Sequence, residues 1–191
     1  MKIFNILIAG VGGQGVLMAS KVLAESALAD GMDVKQNEVH GMAQRGGSVI
    51  SFVRIGERVY SPSFQPNNAD ILISFEPLEA LRYIHYLKPD GILVYNKATI
   101  NPSTVAAGLA TYPPNVEEQI AKAFSNAHGI DALAIAQKAG EVKAVNMVMV
   151  GSVMKNLPLD ATVIMEVVRS LSKGEGIGIN LRALEGGAAA V

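Results

Sequence analysis

The stretch "IFNILIAGVGGQGVLMASKVLAESALADG", residues 3–31, limits the fold more than any other part of the chain. An apolar run ends at Gly10, residues 10–15 read GVGGQG, and Val16, Ala19, Leu23 and Ala27 then recur at helical spacing up to a C-capping Gly31. The order is strand, tight turn, helix, which is the context that gives a GxGxxG pattern meaning. In that pattern Gly10 is expected at the sharp turn and Gly12 where the backbone approaches a ligand. Gly15 is expected where helix and strand pack closely, with Gly13 and Gln14 completing the turn. The N–H groups that open the helix would face an anion. A dinucleotide site also needs a carboxylate at the end of the second strand. Asp30 has about the right separation but sits at the helix end, whereas Glu38 is nearer the strand end but comes late. A phosphate-type or nucleotide-like ligand and a purely structural tight turn both fit this stretch.

The alternation continues beyond it. "MDVKQNEV" reads as a second strand, closing a right-handed βαβ unit of a parallel sheet. "SVISFVRIGERVYSPSF" is rich in β-branched and aromatic residues on both sides of Gly56-Glu57, which predicts a hairpin there. "ADILISF" reads as a buried strand, "PLEALRYIHYL" as a helix with Pro77 in its first turn, and "GILVYN" as a strand after Asp90-Gly91. Asn115 is placed to cap a helix, with Glu118 three residues on. From there the sequence reads as mostly helical, through "VEEQIAKAFSNA", "DALAIAQKAG", "AVNMVMVGSVMKNL" and an Asp160-capped "DATVIMEVVRSL". The expectation is a single α/β domain over 1–191: a Rossmann-like, mostly parallel sheet with an inserted β-hairpin and a helical C-terminal third. Residues 186–191 are expected to fray.

Composition removes several classes of function. Lys plus Arg number 16 against 17 Asp plus Glu, which argues against a nucleic-acid partner. The apolar runs fall short of the roughly 18 residues a membrane span needs, so no membrane partner and a cytoplasmic location are expected. The N-terminal "MKIFNILIAG" lacks a small-residue cleavage site and reads as a strand, not a signal peptide. Cysteine is absent, which excludes disulfides, thiolate nucleophiles and cysteine-bound iron-sulfur clusters within the chain. His85 lies in a helix pattern and His128 in a connection, neither with ligands at metal spacing, so no metal site is expected.

A second unusual stretch is "EVHGMAQRGGSV", residues 38–49. Gly41, Gly46 and Gly47 permit close backbone approaches, and Arg45 offers a forked donor for phosphate or carboxylate. Gln44 donates and accepts, and His40 does either near neutral pH. If the second strand ends near Glu38, this loop leaves the carboxyl edge of the sheet beside the glycine turn, where open α/β folds place ligands. A ligand-facing or subunit-facing role and a structural loop, with Arg45 paired to Glu38, both remain readings of it.

Together, "GVGGQGVLMAS" and "EVHGMAQRGGSVISFVRIG", followed in order by "ADILISFEPLEALR" and "NMVMVGS", resemble the γ-type subunit of the 2-oxoacid:ferredoxin oxidoreductases. The resemblance covers essentially the whole chain and is nearest to the indolepyruvate-acting branch. It implies a subunit, not catalytic alone, of a thiamine diphosphate-dependent complex. Such a complex oxidatively decarboxylates a 2-oxoacid, here indolepyruvate or another aryl pyruvate, passes the acyl group to coenzyme A and reduces ferredoxin. Thiamine diphosphate and the iron-sulfur clusters would sit in larger partner subunits, which agrees with the missing cysteines. The resemblance assigns Gly10, Gly12, Gly13, Gln14, Gly15, Glu38, His40, Gly41, Gln44, Arg45, Gly46 and Gly47 to the side facing coenzyme A or a partner subunit. Glu76 and Asn146 are secondary candidates; capping the following helix is the simpler role for Glu76, and Asn146 suits a bond to the sheet or a partner. A pyruvate, 2-oxoglutarate or branched-chain 2-oxoacid enzyme and a stand-alone nucleotide-binding module are the alternatives.

Overall fold

The computed structural model describes residues 3–40, 46–101 and 103–191. Its strands are β1 (Phe4–Val11), β2 (Asp33–His40), β3 (Ser48–Gly56), β4 (Ala69–Ser74), β5 (Leu87–Asn96) and β6 (Ala127–Ile130). Its helices are α1 (Val16–Ala29), α2 (Pro77–Tyr83), α3 (Ser103–Ala106), α4 (Val116–Ala123), α5 (Ala132–Ala139), α6 (Val145–Val153), α7 (Ala161–Leu171) and α8 (Gly176–Ala188). The sheet order is β2-β3-β1-β4-β5-β6. β1, β4, β5 and β6 pair in parallel, whereas β3 runs antiparallel to both of its neighbours, β1 and β2.

Each central strand is apolar on both faces, as a sheet covered by helices on both sides requires. Ile6 and Ile8 of β1, with Ile71 and Ile73 of β4, join the core beneath α1 and the C-terminal helices. Leu7 and Ala9, with Leu72 and Leu93, join a second core beneath α2 and α4. An edge-to-face cluster extends that second core, with the Phe52 ring 5.0 Å from Phe64 and 5.8 Å from Tyr86. The α/β class, the mixed sheet and the helical C-terminal part agree with the sequence reading.

The inserted hairpin lies elsewhere than expected. It is formed by β2 and β3, so β2 is not the neighbour of β1, and the second glycine-rich stretch is its connection. At Gly56-Glu57 the chain instead leaves the sheet. Pro62 and Pro66 deny the following segment a ladder, and side chains hold it: Arg54 Nη1 donates to the Ser61 and Ser63 carbonyls, and Asp33 Oδ2 accepts from Val59 N–H.

Three further expectations change. His128 belongs to β6, a strand too short and polar to signal itself, rather than to a connection. Asn115 is left-handed (φ 56°) and its side chain makes no cap to α4. α8 continues through Ala188, so residues 186–188 of the stretch expected to fray are helical. Asp160, by contrast, caps α7 as predicted, accepting from Thr162 N–H at 2.8 Å.

Candidate functional site

The turn from β1 into α1 is built by backbone shape and one side chain. Gly13 (φ 105°) and Gly15 (φ 92°) are left-handed, a region that costs other residues roughly 1–2 kcal/mol. The sharp turn expected of Gly10 is therefore made by Gly13 and Gly15. Gly10 lies within β1, where a Cβ would sit 2.8 Å from Val16 Cγ2 and 3.0 Å from Phe75 Cβ. A Cβ on Gly15 would lie 3.1 Å from Asn146 Cβ, so the close approach this glycine allows is to α6, helix to helix rather than helix to strand. Asn146 Oδ1 accepts from Met147 N–H at 2.9 Å. Gln14 is committed within the fold, with Oε1 accepting from Val11 N–H (2.6 Å) and Nε2 donating to the Phe75 carbonyl (2.9 Å).

The second glycine-rich stretch meets this turn directly. Gly12 N–H donates to the Gly47 carbonyl at 2.9 Å, and Val11 stands opposite Ser48 in the β1–β3 ladder. Gly46 is left-handed (φ 73°). On the other arm of the hairpin, His40 pairs with Val49. The expected convergence of the two stretches on one rim of the sheet is thus present for Gly12, His40, Gly46 and Gly47. Gly41, Gln44 and Arg45 lie outside the described residues.

Between α1 and the β2–β3 ends lies a cleft of about 660 Å³. Its wall is apolar, from Val11, Val16, Leu17, Met18 and Val49, while Lys21, Glu38 and His40 supply the polar positions and Gly12, Gly13 and Gly15 the turn. Leu17 and Met18 are 50% and 41% exposed, so the wall opens to the surface. Gln36 Nε2 ties β2 to α1, donating to Ser20 Oγ (2.7 Å) and to Glu38 Oε1 (3.2 Å). The backbone N–H groups that open α1 have no partner within the helix, and they carry its positive dipole end. An occupant with an apolar body and an anionic end suits this geometry. Asp30 is excluded from it: it lies at the far end of α1, about 20 Å along the axis, and its Oδ2 accepts from Asp160 N–H. Glu38 is the carboxylate that reaches the cleft.

Glu76 faces inward. It is fully buried and caps α2, its Oε2 accepting from Glu79 N–H (3.1 Å) and its Oε1 from the Tyr112 hydroxyl (2.6 Å). Burial first, then the adjoining Glu76 carboxylate, pushes the Tyr112 hydroxyl well above the usual phenol value. Sequence reasoning missed Ser48 and Glu79. Ser48 Oγ donates to Glu79 Oε2 at 2.5 Å, and Glu79 Oε1 faces Arg82 Nε at 3.3 Å. Burial raises the Glu79 pKa, opposed by the Ser48 bond and the Arg82 charge. The second acid of "EPLE" was the available signal, but nothing local marks its partner 31 residues away.

The family model for pyruvate ferredoxin/flavodoxin oxidoreductase matches residues 5–190. The indolepyruvate oxidoreductase subunit IorB of Thermococcus kodakarensis is 44% identical over 97% of this chain and 94% of its own. IorB of Pyrococcus horikoshii is 41% identical over 97% and 94%. Among solved structures, the pyruvate oxidoreductase subunit PORC of Thermotoga maritima superposes with a TM-score of 0.76 at 24% identity, covering 100% of this chain and 97% of that one. The 2-oxoglutarate:ferredoxin oxidoreductase of Magnetococcus marinus gives 0.76 at 19% identity, covering 100% of this chain but 31% of that one. These two share the fold. With the family match spanning nearly every residue, the chain belongs to the pyruvate ferredoxin/flavodoxin oxidoreductase family, as a small subunit of a 2-oxoacid:ferredoxin oxidoreductase.

Proposed function

We propose that this chain serves an aryl-pyruvate enzyme, with indolepyruvate as substrate, and that its cleft receives coenzyme A or the partner subunit that carries the reacting centre. The Gly12–Gly47 hydrogen bond is the observation that most supports this reading, because it joins the two glycine-rich stretches beside the cleft. The relatives named as indolepyruvate oxidoreductase subunits support the substrate. Residues 10–15, Glu38, His40, Gly46 and Gly47 shape the facing side, and Arg45, which follows in sequence between His40 and Gly46, neutralises a phosphate or orients a carboxylate. Coenzyme A combines a flexible arm with a phosphorylated nucleotide, and an apolar wall beside a helix N-terminus fits both parts.

Thiamine diphosphate supplies the decarboxylation chemistry and iron-sulfur clusters the electron path. Both belong to a larger partner in this reading; for the clusters, a chain without cysteine has no thiolate ligands to offer. Electrons leave to ferredoxin, and the complex works in the cytoplasm. Among the described residues no helix is long and apolar enough to cross a membrane.

A tagged chain purified from its source should carry along a larger, brown, cysteine-rich polypeptide. The complex should then turn over indolepyruvate faster than pyruvate, 2-oxoglutarate or a branched-chain 2-oxoacid. A chain that stays alone and colourless while binding a nucleotide would favour a stand-alone module instead. A complex that prefers a non-aryl 2-oxoacid would remove the substrate assignment.

A further inference from the structure

The foot of the second glycine-rich stretch is held from the opposite face of the sheet. Ser48 opens β3 immediately after Gly47, whose carbonyl receives Gly12 N–H. Alternation along β3 sends Val49 to the cleft and Ser48 across to α2. There Glu79 Oε2 accepts from Ser48 Oγ at 2.5 Å, and the Tyr83 hydroxyl stands 3.1 Å from Ser48 Oγ. Glu79 is 2% exposed, and a buried carboxylate is costly unless bonded. The α2 N-terminus does not require it, since Glu76 already caps that end. The same segment carries a second tether, the Phe75 carbonyl that accepts from Gln14 of the glycine turn. Both glycine-rich stretches are thus tied to residues 75–79.

We propose that Glu79 is a positioning residue that acts through Ser48 to hold the Gly46–Gly47 end of the hairpin connection against the glycine turn, fixing the shape of the cleft for its occupant. Glu79 touches neither the cleft nor what fills it. The burial that raises its pKa is the cost of this tether, and the Ser48 and Arg82 contacts offset it. The role rests on the cleft reading given under the proposed function.

The test uses the full chain assembled with its partner subunits, carrying Glu79→Ala, Ser48→Ala, both together, or Glu79→Gln. Glu79→Ala and Ser48→Ala should each raise KM for coenzyme A about five- to tenfold, with kcat within about twofold. The double variant should be no worse than the worse single one, as expected of two groups acting as a unit. Glu79→Gln keeps an acceptor for Ser48 and should stay within about twofold of the parent. Amide exchange of peptides covering residues 46–52 should quicken in Glu79→Ala, while peptides from α7 and α8 stay unchanged. An unchanged KM in Glu79→Ala, whatever its melting temperature or exchange, overturns the positioning role, and so do additive effects of the two substitutions. His40→Ala probes the cleft separately. If it moves KM while Glu79→Ala does not, the positioning role alone falls; if neither moves KM, coenzyme A as the occupant of the cleft falls with it.

Discussion

Glycine serves two regions of this molecule for different physical reasons. In the β1–α1 turn, Gly13 needs its left-handed φ of 105°, yet a Cβ there would have no atom within 4 Å. Between α6 and α8 the backbone is ordinary helix, but a Cβ on Gly151 would lie 1.9 Å from the Leu184 carbonyl oxygen and one on Gly187 2.0 Å from that of Val148. Gly13 tolerates a side chain sterically and resists it conformationally. The helix pair does the reverse. The packed pair has no room to adjust, whereas the turn leaves open space where a partner or ligand can approach.

The largest effect should come from filling the helix contact. Gly187→Val should destabilise the chain by about 3 kcal/mol or more, which at this size lowers the melting temperature by about 6–12 °C in a circular dichroism scan. A drop below about 3 °C would break the comparison. Gly13→Ala should cost only about 1–2 kcal/mol, through backbone strain alone, while raising KM for coenzyme A in the assembled enzyme. A melting temperature as low as that of Gly187→Val would mean that the turn is packed after all.

Buried hydrogen bonds hold the α2 side of the sheet, and two milder substitutions there sharpen the contrast. Tyr112→Phe removes the hydroxyl that donates to buried Glu76 and should cost about 1–2 kcal/mol in urea unfolding. Glu79→Gln should show the smallest effect, and it depends on pH. Because burial raises the folded-state pKa of Glu79 above 4.5, the folded chain binds that proton more tightly than the unfolded one. Stability contributed at this site therefore falls as pH rises from 4.5 through the raised value and is level above it. Glutamine cannot ionise, so the variant should lack this decline. Parallel stability curves for parent and variant between about pH 4 and pH 8 would show that Glu79 titrates normally.

The legible parts of the fold are those fixed by neighbours in sequence. Strand, glycine turn and α1 follow from one periodic stretch, Pro77 opens α2, and Asp160 caps α7. β6 escaped because four residues, with His128 and Gly129 among them, carry no period. Local turn chemistry points to a hairpin at Gly56-Glu57, but the ladder partner of β3 is β2, which only sheet order reveals. At the site, the rim position of Gly12 and His40 was readable from the strand ends. Gln14 was not, because its two bonds, to Val11 and Phe75, turn a side chain expected at the ligand inward. Ser48 and Glu79 escaped for the same reason, joining elements far apart in the chain.

By itself the sequence determined the turn, the strand and helix alternation, and the lack of thiolate ligands, because each depends on residue type and short-range spacing. Tertiary structure decided that β3 enters between β2 and β1. That choice rests on non-local pairing and on burying Val49 and Val53 on one face and Ile50 and Phe52 on the other. It brings the Gly47 carbonyl to Gly12 N–H, and so makes one cleft out of two separate stretches.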